Sequence, residues 1–207
     1  MSQGRRAERV RVFVALDIPE DVRAALGTLV TRLRAAGQNI QATTSARWTR
    51  IEGIHVTLKF IGEIPPEKIE PVKAALARIP FSNSIAIRFR GVGFFPNERR
   101  PGVFWAGVEA GPELSELATA VEKSLEPLGI AKEQRTFSPH LTLARFEYRA
   151  GAISTLHAIP DAISEAGPLE FGSAIAKEFH LYQSTLKRGG AEYTRLATFH
   201  FAGGESQ

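Results

Sequence analysis

Two short stretches of the chain carry residues that could do chemistry. HVTLKF, His55 to Phe60, sets a histidine and a threonine two apart in an otherwise apolar run, and HLTLAR, His140 to Arg145, repeats the pattern. Side chains alternate along a strand, so His55, Thr57 and Lys59 are expected on one face and Val56, Leu58 and Phe60 on the other. By the same count His140, Thr142 and Ala144 share a face, while Leu141 and Leu143 pack on the opposite side. Each strand would then lay a polar His–Thr pair on the floor of a cleft. Displacement at a phosphodiester can use such a pair of strands. One imidazole near neutrality takes a proton from the nucleophile, and the other gives one to the leaving oxygen. The threonine hydroxyls can donate hydrogen bonds to the non-bridging oxygens. The residue types alone leave two other readings open: ordinary structural strands that each contain a histidine, or a binding face.

The elements that must position these strands follow from the hydrophobic pattern. RVFVALDI, Arg11 to Ile18, reads as a buried strand. A helix from Pro19 to about Ala36 carries Val22, Leu26, Leu29, Val30 and Leu33 at helical spacing, with Gly37 as its stop. QNIQATTSA reads as a polar loop, followed by a short strand around Trp48, a turn at Glu52 and Gly53, and a strand from Ile54 to Ile61. Pro65 and Pro66 open a second helix with Ile69, Val72, Leu76 and Ile79 inward, ended by Pro80. Next come SIAIRFRGVGFF, a strand with a glycine break, then the loop PNERRPG and the strand VFWAGVEA. A third helix from Pro112 to Leu128 turns Leu114, Leu117, Val121 and Leu125 inward. KEQRTFSP delivers the second histidine strand. A short helix and turn is expected over residues 151–163, and strands near Leu169 to Phe171, Ile175 to Ser184 and Tyr193 to Phe201 close the chain.

Three long helices among about eight strands, without regular β–α alternation, define an α+β class with largely antiparallel or mixed sheets. Each half has a helix, a polar loop with an arginine, and a strand bearing His-x-Thr. The chain therefore reads as a loose internal duplication of two lobes about a cleft. Residues 1–9 read as a disordered basic tail, and residues 10–203 as one bilobed domain.

Composition narrows the function classes. No stretch reaches eighteen apolar residues, so no membrane span is expected. The chain has no cysteine, which excludes disulfides and thiolate chemistry and fits a cytoplasmic location. Five scattered histidines without HExxH spacing give no metal site, and no cofactor motif is present. A net charge of +4 mildly favours an anionic partner. Among secondary candidates, Trp48 and Phe95 are the aromatics best placed by sequence to stack a terminal base. Arg135 sits in the loop before the second motif. Arg145 lies by simple alternation on the face opposite His140, where a twist or bulge at the strand end would have to re-aim it. His157, His180 and His200 lack a threonine partner and read as structural or solvated.

The two HxTL motifs resemble the signature of the two-histidine phosphoesterase superfamily. Within it the chain is similar to the bacterial and archaeal RNA 2',3'-cyclic phosphodiesterases, historically called 2'-5' RNA ligases. The similarity runs through RVFVALDIP, RWTRIEGIHVTLKFIGEI, GFFPNERRPGVFWAGV, RTFSPHLTLARF and FHLYQSTLKRGGAEYTRLATF. The resemblance implies two antiparallel sheets facing a central groove with helices outside. It also implies hydrolysis of RNA 2',3'-cyclic phosphate ends to 2'-phosphomonoesters, without metal or other cofactor, and ATP-independent 2'-5' ligation. By the same resemblance His55 is the proton donor to the departing 3'-oxygen, His140 the base that activates water, Thr57 and Thr142 phosphate ligands, and Arg145 a phosphate contact. Residue chemistry alone does not decide which histidine does which. RNA ends, tRNA fragments among them, are the expected partner, and a monomer the expected state. Two alternatives share these residues: an enzyme for another small cyclic phosphodiester, and a non-catalytic RNA-end binding module.

Overall fold

The first strand, β1 (Val10–Leu16), places Val12, Val14 and Leu16 on one face, in the core, and Arg11, Phe13 and Ala15 on the other. This two-faced pattern recurs through a computed structural model that describes residues 9–37, 44–81, 83–98, 101–148, 169–187 and 190–202. The expected tail and the helix expected over residues 151–163 lie outside the described residues, the tail except for Arg9. α1 (Glu20–Gly37) carries acidic residues in its first turn, where they complement the helix dipole, and buries Val22, Leu26, Leu29, Val30 and Leu33. β2 (Thr44–Trp48) begins within the stretch read as loop, because β6 supplies it with a ladder partner. A 3-10 turn (Ile51–Gly53) leads into β3 (Val56–Ile64), and α2 (Ile69–Leu76) follows a second 3-10 turn. β4 (Ile85–Phe95), β5 (Val103–Ala110), α3 (Pro112–Leu125) and β6 (His140–Tyr148) build the second half. β7 (Glu170–Ala176), β8 (Glu178–Lys187) and β9 (Gly190–His200) complete the fold.

These strands form two antiparallel sheets, β3-β1-β8-β9 and β2-β6-β5-β4-β7. Without β2 the two orders correspond strand for strand: a motif strand at one side (β3 or β6), then the strand that precedes its helix (β1 or β5), then two more. This is the expected duplication. The helices lie on the outer faces and reach between halves, α1 against β7 and α3 against β3. β3 approaches β6 where the sheets face one another.

Candidate active site

His55 does not lie in β3. β1 ends at Leu16, whose partner is Val56, so no ladder remains for the histidine before it. Its ring stacks on Phe13 with centroids 4.6 Å apart and meets the edge of Tyr193 at 5.3 Å. A Cβ on Gly53 would come within 2.9 Å of the Tyr193 ring, so only glycine there lets the tyrosine close against His55. His140 opens β6 with its ring against the edge of Phe95 at 5.1 Å, and Phe95 in turn rests 5.1 Å from Trp105.

The two imidazoles are anchored identically. Nδ1 of His55 lies 2.7 Å from the carbonyl of Gly53, and Nδ1 of His140 lies 2.8 Å from that of Ser138, each two residues upstream. A carbonyl only accepts, so Nδ1 donates in both, and the neutral ring keeps Nε2 as its free acceptor. Thr57 and Thr142 follow at the same spacing, both half-buried.

A shared irregularity follows each threonine. On β3, Ala15 pairs with Thr57 and Val14 with Lys59, which leaves Leu58 as the extra residue of a bulge. On β6, Trp105 pairs with Thr142 and Phe104 with Ala144, which leaves Leu143 extra. One inserted residue reverses the alternation beyond it. The expected face of Lys59 is therefore corrected. It is buried on the core side, where its ammonium bonds the Glu122 carboxylate on α3 and the Ala131 carbonyl. Phe60, expected to pack, is 53 % exposed beside Phe13 on the groove side. Arg145, placed by simple alternation opposite His140, is turned to the histidine's side, and its charge acts on both His140 and Tyr193.

Burial pushes the His55 imidazolium down to about 4. The Gly53 hydrogen bond and the Asp17 carboxylate oppose that fall, while Arg23 and His140 add to it. Burial also lowers His140, partly offset by Ser138, and Arg145 lowers it further. The charge of His140 reaches His55, so the two rings lie within electrostatic reach of one another. Aside from burial and the backbone bonds, the leading charge beside His55 is a carboxylate and that beside His140 a guanidinium.

The remaining sequence candidates have other partners or lie outside the described residues. Trp48 pairs with Ala144 on the core side and sets its indole edge-on to Phe104 at 6.3 Å. Arg135 is exposed and bound to Glu133. His180 is buried between Asp17 and Glu178 with Thr198 on Nδ1, and exposed His200 bonds Glu178. His157 lies outside the described residues. Among the described residues no group of three histidine or acidic side chains is placed to hold a metal, and no helix is long and apolar enough to cross a membrane. The groove-facing roles of Phe13, Phe60, Asp17 and Tyr193 had no motif to mark them.

Two antiparallel sheets of matching strand order, each with a His-x-Thr pair on the corresponding strand, are the arrangement of a two-histidine phosphoesterase. The chain belongs to the LigT like Phosphoesterase family, whose model matches residues 16–105 and 107–193, nearly one match per half. It is 34 % identical over 207 residues to an RNA 2',3'-cyclic phosphodiesterase of Thermus thermophilus, covering 94 % of this chain and 91 % of that one. Identity to the protein of the same name from Archaeoglobus fulgidus is 30 % over 190 residues, covering 92 % and 99 %. Among solved structures, TT0787 of Thermus thermophilus superposes with a TM-score of 0.71 at 31 % identity, covering 94 % of this chain and 100 % of that one. E. coli LigT complexed with 3'-AMP gives 0.69 at 26 % identity, covering 94 % and 99 %.

Proposed function

We propose that the protein hydrolyses terminal 2',3'-cyclic phosphodiesters of RNA to 2'-phosphomonoesters by acid–base catalysis. The observation that carries the assignment of roles is the asymmetry of charge about two otherwise matched imidazoles. Arg145 favours neutral His140, the form that accepts a proton from water. Asp17 favours protonated His55, the form that gives a proton to the departing 3'-oxygen. Burial keeps His55 neutral in the free protein, and the arriving phosphodiester supplies a second negative charge that draws the proton onto it. Water attacks phosphorus, the bond to the 3'-oxygen breaks, and the 2'-phosphate remains. Thr57, Thr142 and Arg145 hold the non-bridging oxygens as charge redistributes.

With the 5'-hydroxyl of a second RNA in place of water, the same step forms a 2'-5' linkage without ATP. The names of the curated relatives and the nucleotide in the LigT complex support a nucleotide-end substrate for this groove. A cytoplasmic monomer acting on RNA ends such as tRNA fragments belongs to the same proposal. The test is product formation from an oligonucleotide ending in 2',3'-cyclic phosphate, in the presence of EDTA. Turnover to a 2'-phosphomonoester is expected, whereas a 3'-phosphate product or loss of turnover in EDTA would overturn the mechanism.

A further inference from the structure

Beyond the two motifs, the groove is electrically lopsided. At one end Asp17 and Glu178 flank His180, and Arg195 at that end is already bound to Asp17. At the other end lies Arg11, one β-alternation before Phe13 and on the same face, so roughly 6.6 Å along the strand from the residue on which His55 stacks. Arg11 pairs across the sheet with Ser184, and Ser184 pairs with Tyr193, so arginine and tyrosine flank one small polar residue. Tyr193 touches Phe13 at 5.0 Å as well as His55.

On the other sheet, the bulge at Leu143 turns Arg145 to the side of His140, and its charge reaches the same tyrosine. Both guanidinium charges act to lower the pKa of its hydroxyl, although burial holds that pKa above the usual value. Among the described residues neither guanidinium has a hydrogen bond or ion pair, and the carboxylate of Glu63, the cross-strand neighbour of Arg11 on β3, forms none with it. Two unpaired guanidiniums and a phenol converging beside a site for one phosphate are suited to a second anion.

We infer that Arg11 and Tyr193, with Arg145, form a subsite for the phosphodiester immediately 5' of the nucleotide that carries the cyclic phosphate. The spacing of one β-alternation is comparable with that of successive phosphates in an RNA strand. The acidic end repels a phosphate chain, so the RNA leaves the groove over Arg11. The subsite rests on the phosphodiesterase reading and makes its substrate class an RNA end in preference to a free nucleoside cyclic phosphate.

The experiment compares kcat/KM for adenosine 2',3'-cyclic phosphate with that for the same compound carrying a 5'-phosphate and for a dinucleotide ending in the cyclic phosphate. Wild-type protein should favour the two substrates with the upstream phosphate by about tenfold or more. Arg11→Gln should collapse that ratio at least fivefold, while Arg32→Gln on the exposed face of α1, with the same charge change, leaves it in place. Equal wild-type rates on all three substrates would overturn the subsite and leave the phosphodiesterase reading standing. No turnover of any of them would instead defeat that reading. A ratio retained in Arg11→Gln, or lost equally in Arg32→Gln, would remove Arg11 from the site.

Discussion

Phe60 and Arg145 hold the same place in the two halves of the molecule, each five residues beyond its histidine and turned to the groove by a bulged leucine. The duplication therefore repeats the backbone but not the chemistry: one half presents an apolar ring, the other a cation. Arg145→Ala removes charge-assisted bonds to phosphate and should lower kcat/KM by about 10- to 100-fold. Phe60→Ala should cost less than about 1 kcal/mol of stability, because half the ring is already in water, yet raise KM for an oligonucleotide several-fold with kcat held. Steady-state kinetics with parallel thermal melts separates the two. An unchanged KM in Phe60→Ala would leave the ring without a role in binding.

Replacing either anchored imidazole tests the proton transfers directly. His55→Ala and His140→Ala should each reduce turnover by at least about 100-fold with the circular dichroism spectrum of the wild type. Activity that survives in either variant would break the pairing.

The pH profile should reveal which charge serves which ring. His140 must be neutral to act as base, and its pKa is lowered, so kcat, read with substrate bound and His55 protonated, should hold below pH 6.5 before falling on the acid side. Arg145→Ala raises the His140 pKa and should move that acid limb to higher pH. Asp17→Asn removes the carboxylate that helps His55 keep its proton, so the alkaline limb should move to lower pH. Shifts in the opposite directions would exchange the roles of the two histidines.

The buried Lys59–Glu122 pair ties the first motif strand to the loop that delivers His140, since the Glu122 carboxylate also accepts from the backbone N–H of Glu133. Lys59→Ala leaves a mostly buried carboxylate without its cation and should destabilise the fold by about 3 kcal/mol. The double variant Lys59→Met with Glu122→Leu should recover much of that loss in a denaturant titration, because no charge is then left unpaired.

The sequence by itself determined the helices, through apolar stripes such as Val22, Leu26 and Leu33, and it determined the two His-x-Thr pairs, because parity over two residues is local geometry. It also showed the duplication, since both halves repeat one order of helix, loop and motif. The tertiary structure alone decided what lies beyond each threonine. Whether Leu58 or Leu143 is paired or extra depends on the partner strand, and that choice buries Lys59 and turns Phe60 and Arg145 into the groove. Trp48 lies on the core side for the same reason, through its pairing with Ala144. The charges that set the two imidazoles apart come from Asp17, far from His55 in sequence, and from Arg145, re-aimed by its bulge. No residue carries that information alone, because a pKa belongs to the groups that the folded chain brings together.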